Sequence, residues 1–313
     1  MVRFALRRLL DGVVLIFAIS TLSYLLLYLG GGNIARTILG PTATEETVAL
    51  KTAELGLDQP LIPRYLDWLS GAIRGDFGRS WFTSQPVTEA ITSRLAVTLS
   101  LVIGTVILSA IVAVVLGVWA ARKRGVADRV IQVTAILGFA IPNFLIAILL
   151  VRVFALNLGW FKPTGYVQIG TSFTGWLATV TLPILALSVG AVAAVAQQVR
   201  GSVIDALRQD WVRTLRSRGI PENRVVYKHV LRNAGGPALA VLAVQFVGLL
   251  GGAVIVEQIF AIPGLGQVSV LATSQGDIPL VMGLVVAVGI VVVIVNLVMD
   301  LLQGFLNPKV RLS

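Results

Sequence analysis

With no cysteine and one histidine, His229, among 313 residues, the chain has few side chains suited to covalent or metal chemistry. Disulfides and thiolate nucleophiles are excluded, and one imidazole does not make a metal site. No Gly-x-x-x-x-Gly-Lys-Ser/Thr occurs, nor any Gly-Lys pair, so no phosphate-cradling loop is present. What remains is charge and a few isolated polar groups. Eight of the 25 Lys and Arg residues fall within Arg200–Arg232. Asn143 beside Pro142, Gln245, and Glu257 at the end of an apolar run are the polar groups placed among apolar residues. Such residues dock, line or gate, and an ionisable group at membrane depth is a functional candidate by default.

The elements that must hold these groups are membrane spans. Hydrophobic residues make up 56% of the chain and charged ones 13%, about half the usual share for a soluble domain. Runs free of charge and long enough for the hydrocarbon core occur at Gly12–Leu29, Leu95–Ala121, Val130–Val151, Trp176–Val199, Asn233–Val256 and Ile278–Met299. The run 258–276 also lacks charge, but Pro263, Gly264 and Gly266 make it a poor lipid-facing helix. It reads as a loop or re-entrant segment over protein or an aqueous cavity. Six spans with both termini inside put 17 basic residues on the inner side and 7 outside, with Arg152 snorkelling at the outer end of the third span. The net charge of +10 is therefore mostly orientation. The first run exceeds the usual signal-peptide core, and Gly30–Gly32 is a weak cleavage site, so it reads as an anchor.

The expectation is an all-α integral membrane chain: an N-terminal transmembrane helix (1–29), an extracytoplasmic segment (30–94), a five-helix core (95–302) and a cytoplasmic tail (303–313). Within 30–94, Thr44 is placed to N-cap a helix and Gly56 to end it, while Pro60 and Pro63 punctuate the stretch beyond Gly56. Small-residue pairs, Gly248 with Gly252 and Gly190 with Ala194, suit close helix packing. Pro142 and Pro183 fall inside spans three and four, where they kink a helix as a packing feature or as a hinge.

The inner segment 200–237 is the most informative. Val203, Leu207, Trp211, Val212 and Leu215 recur at helical spacing, Gly219 is placed to end that helix, and Pro221 to open the next. Val225, Val226, Val230 and Leu231 continue a second apolar face. A basic helix–turn–helix with a short apolar stripe suits docking of a soluble partner. An interfacial helix pair on anionic lipid has the same composition, and nucleic-acid binding is disfavoured because orientation already explains the charge.

Asp210-Trp-Val-Arg-Thr-Leu-Arg-Ser-Arg-Gly219, with Ile220, His229-Val-Leu-Arg232-Asn233 and Pro237, resembles the cytoplasmic loop of permease subunits of binding-protein-dependent ABC importers. Leu55–Tyr65, Gly75–Ser80, Pro86-Val87 with Ile91, Arg94 and Thr98, Gly251–Gly266, Asp277–Pro279, Asn296, Asp300 and Asn307–Arg311 narrow the likeness to the B-type subunit of the dipeptide/oligopeptide (nickel) group. The resemblance implies a type I ABC importer permease fold of the bacterial or archaeal cell membrane. It also implies a second homologous permease, two ATP-binding subunits that use ATP and Mg, and an extracytoplasmic substrate-binding protein. The chain itself would be no enzyme, bind no cofactor or metal, and contact lipid rather than nucleic acid. Peptides are the implied cargo, with nickel or another small solute the alternative. The family's acidic residue and two alanines are here Arg213-Thr214-Leu215, and Gly30-Gly-Gly-Asn33 replaces a Pro-Gly-Asp.

In that family the loop carries coupling helices, so Asp210, Arg213, Thr214, Leu215, Gly219, Ile220, His229, Arg232 and Asn233 are the expected coupling residues. Pro142, Asn143, Gln245, Glu257, Pro263 and Gly264 are the candidates for pathway or gating roles. A stand-alone channel or secondary carrier would place charge near mid-bilayer, where the spans hold almost none, and a scaffold subunit would tolerate changes to polar span residues.

Overall fold

The computed structural model describes residues 2–30, 34–123 and 125–306. Gly31–Asn33, Arg124 and the tail motif Asn307–Arg311 lie outside the described residues. In chain order the helices are α1 (Val2–Gly30), α2 (Ile34–Leu39), α3 (Glu45–Glu54), α4 (Leu61–Ile73), α5 (Val87–Arg122), α6 (Val126–Ala140) and α7 (Asn143–Leu150). A π-helical run, Val151–Asn157, extends α7. Then come α8 (Phe173–Leu207), α9 (Asp210–Ser217), α10 (Glu222–Arg224), a second π-helical run (Val225–Val230), α11 (Leu231–Ile259), α12 (Leu265–Gln275) and α13 (Ile278–Leu306). Among the described residues, five helical stretches are long and apolar enough to cross a membrane: those of α1, α5, α8, α10–α11 and α13.

Three expectations about these elements are corrected. The run Val130–Val151 is not one helix. Ile141 (ψ 120°) and Pro142 (ψ 137°) are extended, so α6 stops and α7 restarts at Asn143. Proline disfavours α geometry in the residue before it, and a β-branched Ile adds to that. Pro183 and Pro237, preceded by Leu182 and Gly236, stay inside α8 and α11. Second, the fourth span does not give way to a separate amphipathic helix at Arg200. Nothing in Arg200–Leu207 breaks a helix, so Val203 and Leu207 belong to α8, and the break comes at Arg208-Gln209. Third, the helix begun after Pro221 runs without interruption into the fifth span. The segment 258–277 contains the eleven-residue α12, ended by Gly276 in the left-handed region (φ 73°).

The described chain divides into two compact units, one from Thr98–Pro263 with the chain from Val295, the other from Val2–Val97 with Gly264–Ile294. In the first, α8 packs most extensively against α11 and α6. Its backbones approach closely: a Cβ on Gly117 of α5 would lie 2.8 Å from the carbonyl oxygen of Ala196 in α8. A core of Val195, Val199, Val203, Ala234, Ala238 and Leu242 continues to Val212, Val225, Val226 and Val230. In the second unit, Tyr24, Ile34, Tyr65, Ile278 and Met282 form one cluster, and Val87, Ile91, Leu265, Leu280 and Leu284 another. Thr44 caps α3 by accepting from Thr47 N–H, and Gly56 follows its end at φ 63°. Asp277, buried, accepts from Ser80 Oγ at 2.5 Å and from Trp81 N at 3.2 Å, tying the loop before α5 to the start of α13.

Candidate coupling surface and polar span residues

The hairpin from α9 to the second π-helical run is built on four valines. Val212, Val225, Val226 and Val230 are fully buried, and Trp211, Leu215 and Ile220 pack half-buried against the same core. Each buried valine contributes about 1.5–3 kcal/mol relative to exposure in water. The apolar stripe read from the sequence as a docking feature thus faces inward and seats the hairpin on its own unit. Leu215, expected from the sequence to be a departure in this loop, has a place in that packing.

The turn between α9 and α10 is a Schellman motif. Ile220 N–H donates to Leu215 O at 3.3 Å and Gly219 N–H to Arg216 O at 3.0 Å, with Gly219 at φ 72°. A Cβ on Gly219 would meet nothing within 4 Å, so glycine is required there by backbone conformation and not by crowding. Pro221 sits one position before the first turn of α10, as its N-cap. Arg216 spans the turn to Glu222 with two bonds, Nε to Oε2 at 2.9 Å and Nη2 to Oε1 at 2.7 Å. That carboxylate holds the Arg216 guanidinium above the ordinary arginine range. An exposed pair of this kind contributes about 0–1 kcal/mol, so the valines fix the hairpin and the ion pair trims it. Arg122, at the end of α5, donates to Asn223 Oδ1 at 3.1 Å.

Apart from Tyr227, what the hairpin turns outward is polar. The Asp210 side chain is 94% exposed and Arg213 77%, the two 3.4 Å apart, and Thr214 and, beyond the end of α9, Gly219 are exposed as well. Asp210 opens α9, where a carboxylate suits the positive end of the helix dipole. His229, Arg232 and Asn233 are brought together with Trp211 and Lys228 around a recess of 320 Å³. Trp211 and Asn233 also border a cleft of 570 Å³ with Ser202, Asp205, Gln209 and Pro237. Of the expected coupling residues, Asp210 and Arg213 are thus paired on the outer side of α9, His229, Arg232 and Asn233 share one recess, and Leu215 and Ile220 belong to the packing beneath the hairpin.

The other candidates are dispersed. Asn143, half-buried at the start of α7, lies between two glycines: a Cβ on Gly252 would be 3.6 Å from its Nδ2 and one on Gly190 3.7 Å from its Oδ1. The small-residue pairs on α8 and α11 thus leave room for an amide side chain between the helices. Pro142 is exposed, and Gln245 is half-buried about 10 Å along α11 from Gly252. Glu257 is fully buried at the end of α11, where Thr98 Oγ1 donates to its Oε1 at 2.5 Å and Ile262 N–H to its carbonyl at 2.8 Å. It is a bonded, packed group rather than one presented outward. Pro263 is exposed and Gly264 is the buried N-cap of α12; the boundary between the two units falls between them. Sequence reasoning missed the Thr98–Glu257, Ser80–Asp277 and Arg216–Glu222 partnerships. Only the last carries a local signal, opposite charges flanking a Gly-Ile-Pro turn.

Two family models cover almost all of the chain. The binding-protein-dependent transport system inner membrane component matches residues 113–312, and the N-terminal part of the membrane component of such systems matches residues 1–102. Among curated relatives, a probable peptide ABC transporter permease of Sinorhizobium fredii is 36% identical over 98% of this chain and 99% of its own length. A putative peptide transport system permease of Brucella abortus is 38% identical over 98% of both chains. The glutathione transport system permease GsiC of Escherichia coli is 35% identical over 99% of both. The resemblance carried by the Asp210–Gly219 loop therefore extends through the chain, and the protein belongs to the inner membrane components of binding-protein-dependent transport systems, as a multi-pass membrane protein.

Proposed function

We propose that this chain is the permease subunit of an ATP-driven importer and forms half of the translocation pathway for peptides delivered by a substrate-binding protein. The observation that carries the reading is the α9–α10 hairpin: a polar, exposed surface seated between the ends of two long apolar helices, in a sequence that carries no Gly-x-x-x-x-Gly-Lys-Ser/Thr. Full-length likeness to permeases named for peptides and for glutathione supports the choice of cargo.

Six crossings account for the charge distribution, with α6, α7 and the π-helical run Val151–Asn157 together supplying the third. Both termini then lie on the cytoplasmic side, and the hairpin faces the cytoplasm. Two ATP-binding subunits, which use ATP and Mg, dock there, and a second homologous permease completes the pathway. Closure of the ATPase pair pushes on Asp210–Gly219. Because α8 ends two residues before α9, and α10 continues into α11, the push reaches both helices without a flexible linker. Asn143, between α8 and α11, is placed to sense their relative movement, and Gln245 lies on α11 as well. The segment around Pro263-Gly264 serves the opposite face, toward the binding protein.

The test is purification with the cognate operon partners followed by reconstitution. Two ATPase chains and a second permease should accompany this chain, and peptide uptake should require both ATP and the binding protein. An active homo-oligomer that transports without ATP would overturn the proposal.

A further inference from the structure

Helix α4 divides into three sectors. At 100° per residue, Leu61, Tyr65, Trp68 and Ala72 share one side, Arg64, Asp67, Gly71 and Arg74 another, and Ile62, Leu66, Leu69 and Ile73 a third arc of about 60°. The first side is accounted for. Tyr65 is buried against Tyr24 of α1 with ring centroids 5.1 Å apart, and Tyr65 and Trp68 stack at 6.0 Å. Thr21 of α1 shares a 2.7 Å hydrogen bond with the Tyr65 hydroxyl. The Arg64 guanidinium lies 5.9 Å from the Tyr24 ring and 5.7 Å from that of Tyr28. The polar side faces water without difficulty. The third arc is not accounted for by the chain itself: Ile62 is 67% exposed, Leu66 55% and Ile73 78%, with Leu69 at its seam with the packed side.

The occupant is indicated by the surface that the arc adjoins. The helix to which α4 is fastened is a membrane span whose own surface at that end, Leu22, Leu25, Leu26 and Leu29, is exposed aliphatic side chain. Tyr28, exposed at the junction, is a residue type that settles at the headgroup level, and Arg64 beside its ring suits that depth. We infer that α4 is an interfacial helix: it lies along the leaflet into which the C-terminal end of α1 emerges, with Ile62, Leu66 and Ile73 inserted among the lipids and Asp67 and Ser70 toward water. Insertion of such a face reaches about 5–10 Å into the boundary between headgroups and acyl chains. Lipid contact of this kind fixes α4 to the membrane plane independently of any protein partner. The inference rests on α1 crossing the bilayer.

The natural absence of cysteine makes the test direct. Single cysteines at Ile62, Leu66, Ile73, Asp67, Ser70 and, on α1, Leu22 carry an environment-sensitive fluorophore in the assembled transporter in lipid nanodiscs, each variant first checked for retained uptake. Quenching is measured with a phospholipid bearing a nitroxide near its headgroup and with a water-soluble nickel chelate. Labels at 62, 66 and 73 should be quenched chiefly by the nitroxide lipid, and labels at 67 and 70 chiefly by the nickel chelate. Aqueous quenching at all five α4 positions overturns the inference. So does protection of 62, 66 and 73 from both quenchers, which means that another protein covers the stripe. The Leu22 label separates the two readings. If lipid reaches Leu22 but not the α4 stripe, only the interfacial helix is wrong; if lipid does not reach Leu22, the crossing by α1 falls as well.

Discussion

Gly219 adopts φ 72° because the Schellman turn between α9 and α10 needs a left-handed residue, and a side chain there costs about 1–2 kcal/mol in backbone strain. Open space around the position means that a larger residue does not clash within the chain but projects from the exposed surface. Fold and docking can therefore be separated at this one residue. Glu257 presents the opposite case. It is fully buried and bonded to Thr98, so its replacement acts on packing before it acts on cargo. Glu257→Gln keeps an acceptor for the Thr98 hydroxyl and should be tolerated. Glu257→Leu removes that acceptor from the buried Thr98 hydroxyl and should cost about 1–3 kcal/mol, seen as a lower thermal midpoint of the purified complex. Equal midpoints for the two variants would show that the bond contributes nothing. The Thr98–Glu257 and Ser80–Asp277 pairs join residues 159 and 197 positions apart. Each residue stood out in the sequence as part of a motif, but pairing across such separations is a property of the fold and leaves no local pattern.

Helices were legible to the extent that their causes are local. Apolar runs exposed α1, α5, α8, α11 and α13 because hydrophobicity over some 20 residues is sufficient to define a span. The ends were not legible in the same way: charge marks where hydrocarbon stops, whereas a helix stops only where its hydrogen bonding does. Hence α8 continues eight residues past Val199, and α11 is entered through a π-helical run. Pro142 announced a disturbance, but whether it kinks or breaks depends on its β-branched neighbour and on Asn143 finding room against Gly190 and Gly252. The hairpin yields an element-scale prediction. Val226→Asp places a charge in the core that seats it and should loosen the hairpin by several kcal/mol, whereas Arg216→Ala should cost about 0–1 kcal/mol. Limited trypsin digestion, with cleavage sites available at Arg213, Arg218 and Arg224, should accelerate sharply for the first variant and little for the second. Similar digestion rates would mean that the ion pair, not the valines, holds the hairpin.

For the whole molecule, the composition and the distribution of basic residues already pointed to a multi-pass membrane chain, and the helices and the family match agree. The orientation is the proposal's own. Arg213→Cys and Asp58→Cys, in an otherwise cysteine-free chain, should react with a membrane-impermeant maleimide from opposite sides: Asp58→Cys in intact cells, Arg213→Cys only after the cytoplasmic face is opened. Labelling of both from one side would invert or collapse the six-span arrangement. Transmission of ATP hydrolysis to the pathway through the α9–α10 hairpin is tested with Gly219→Trp. The complete transporter, reconstituted with its binding protein and supplied with ATP, is assayed for ATP hydrolysis and peptide accumulation in the same vesicles. The variant complex should assemble and hydrolyse ATP but accumulate little peptide; uptake at the unmodified ratio of peptide to ATP would contradict coupling through the hairpin.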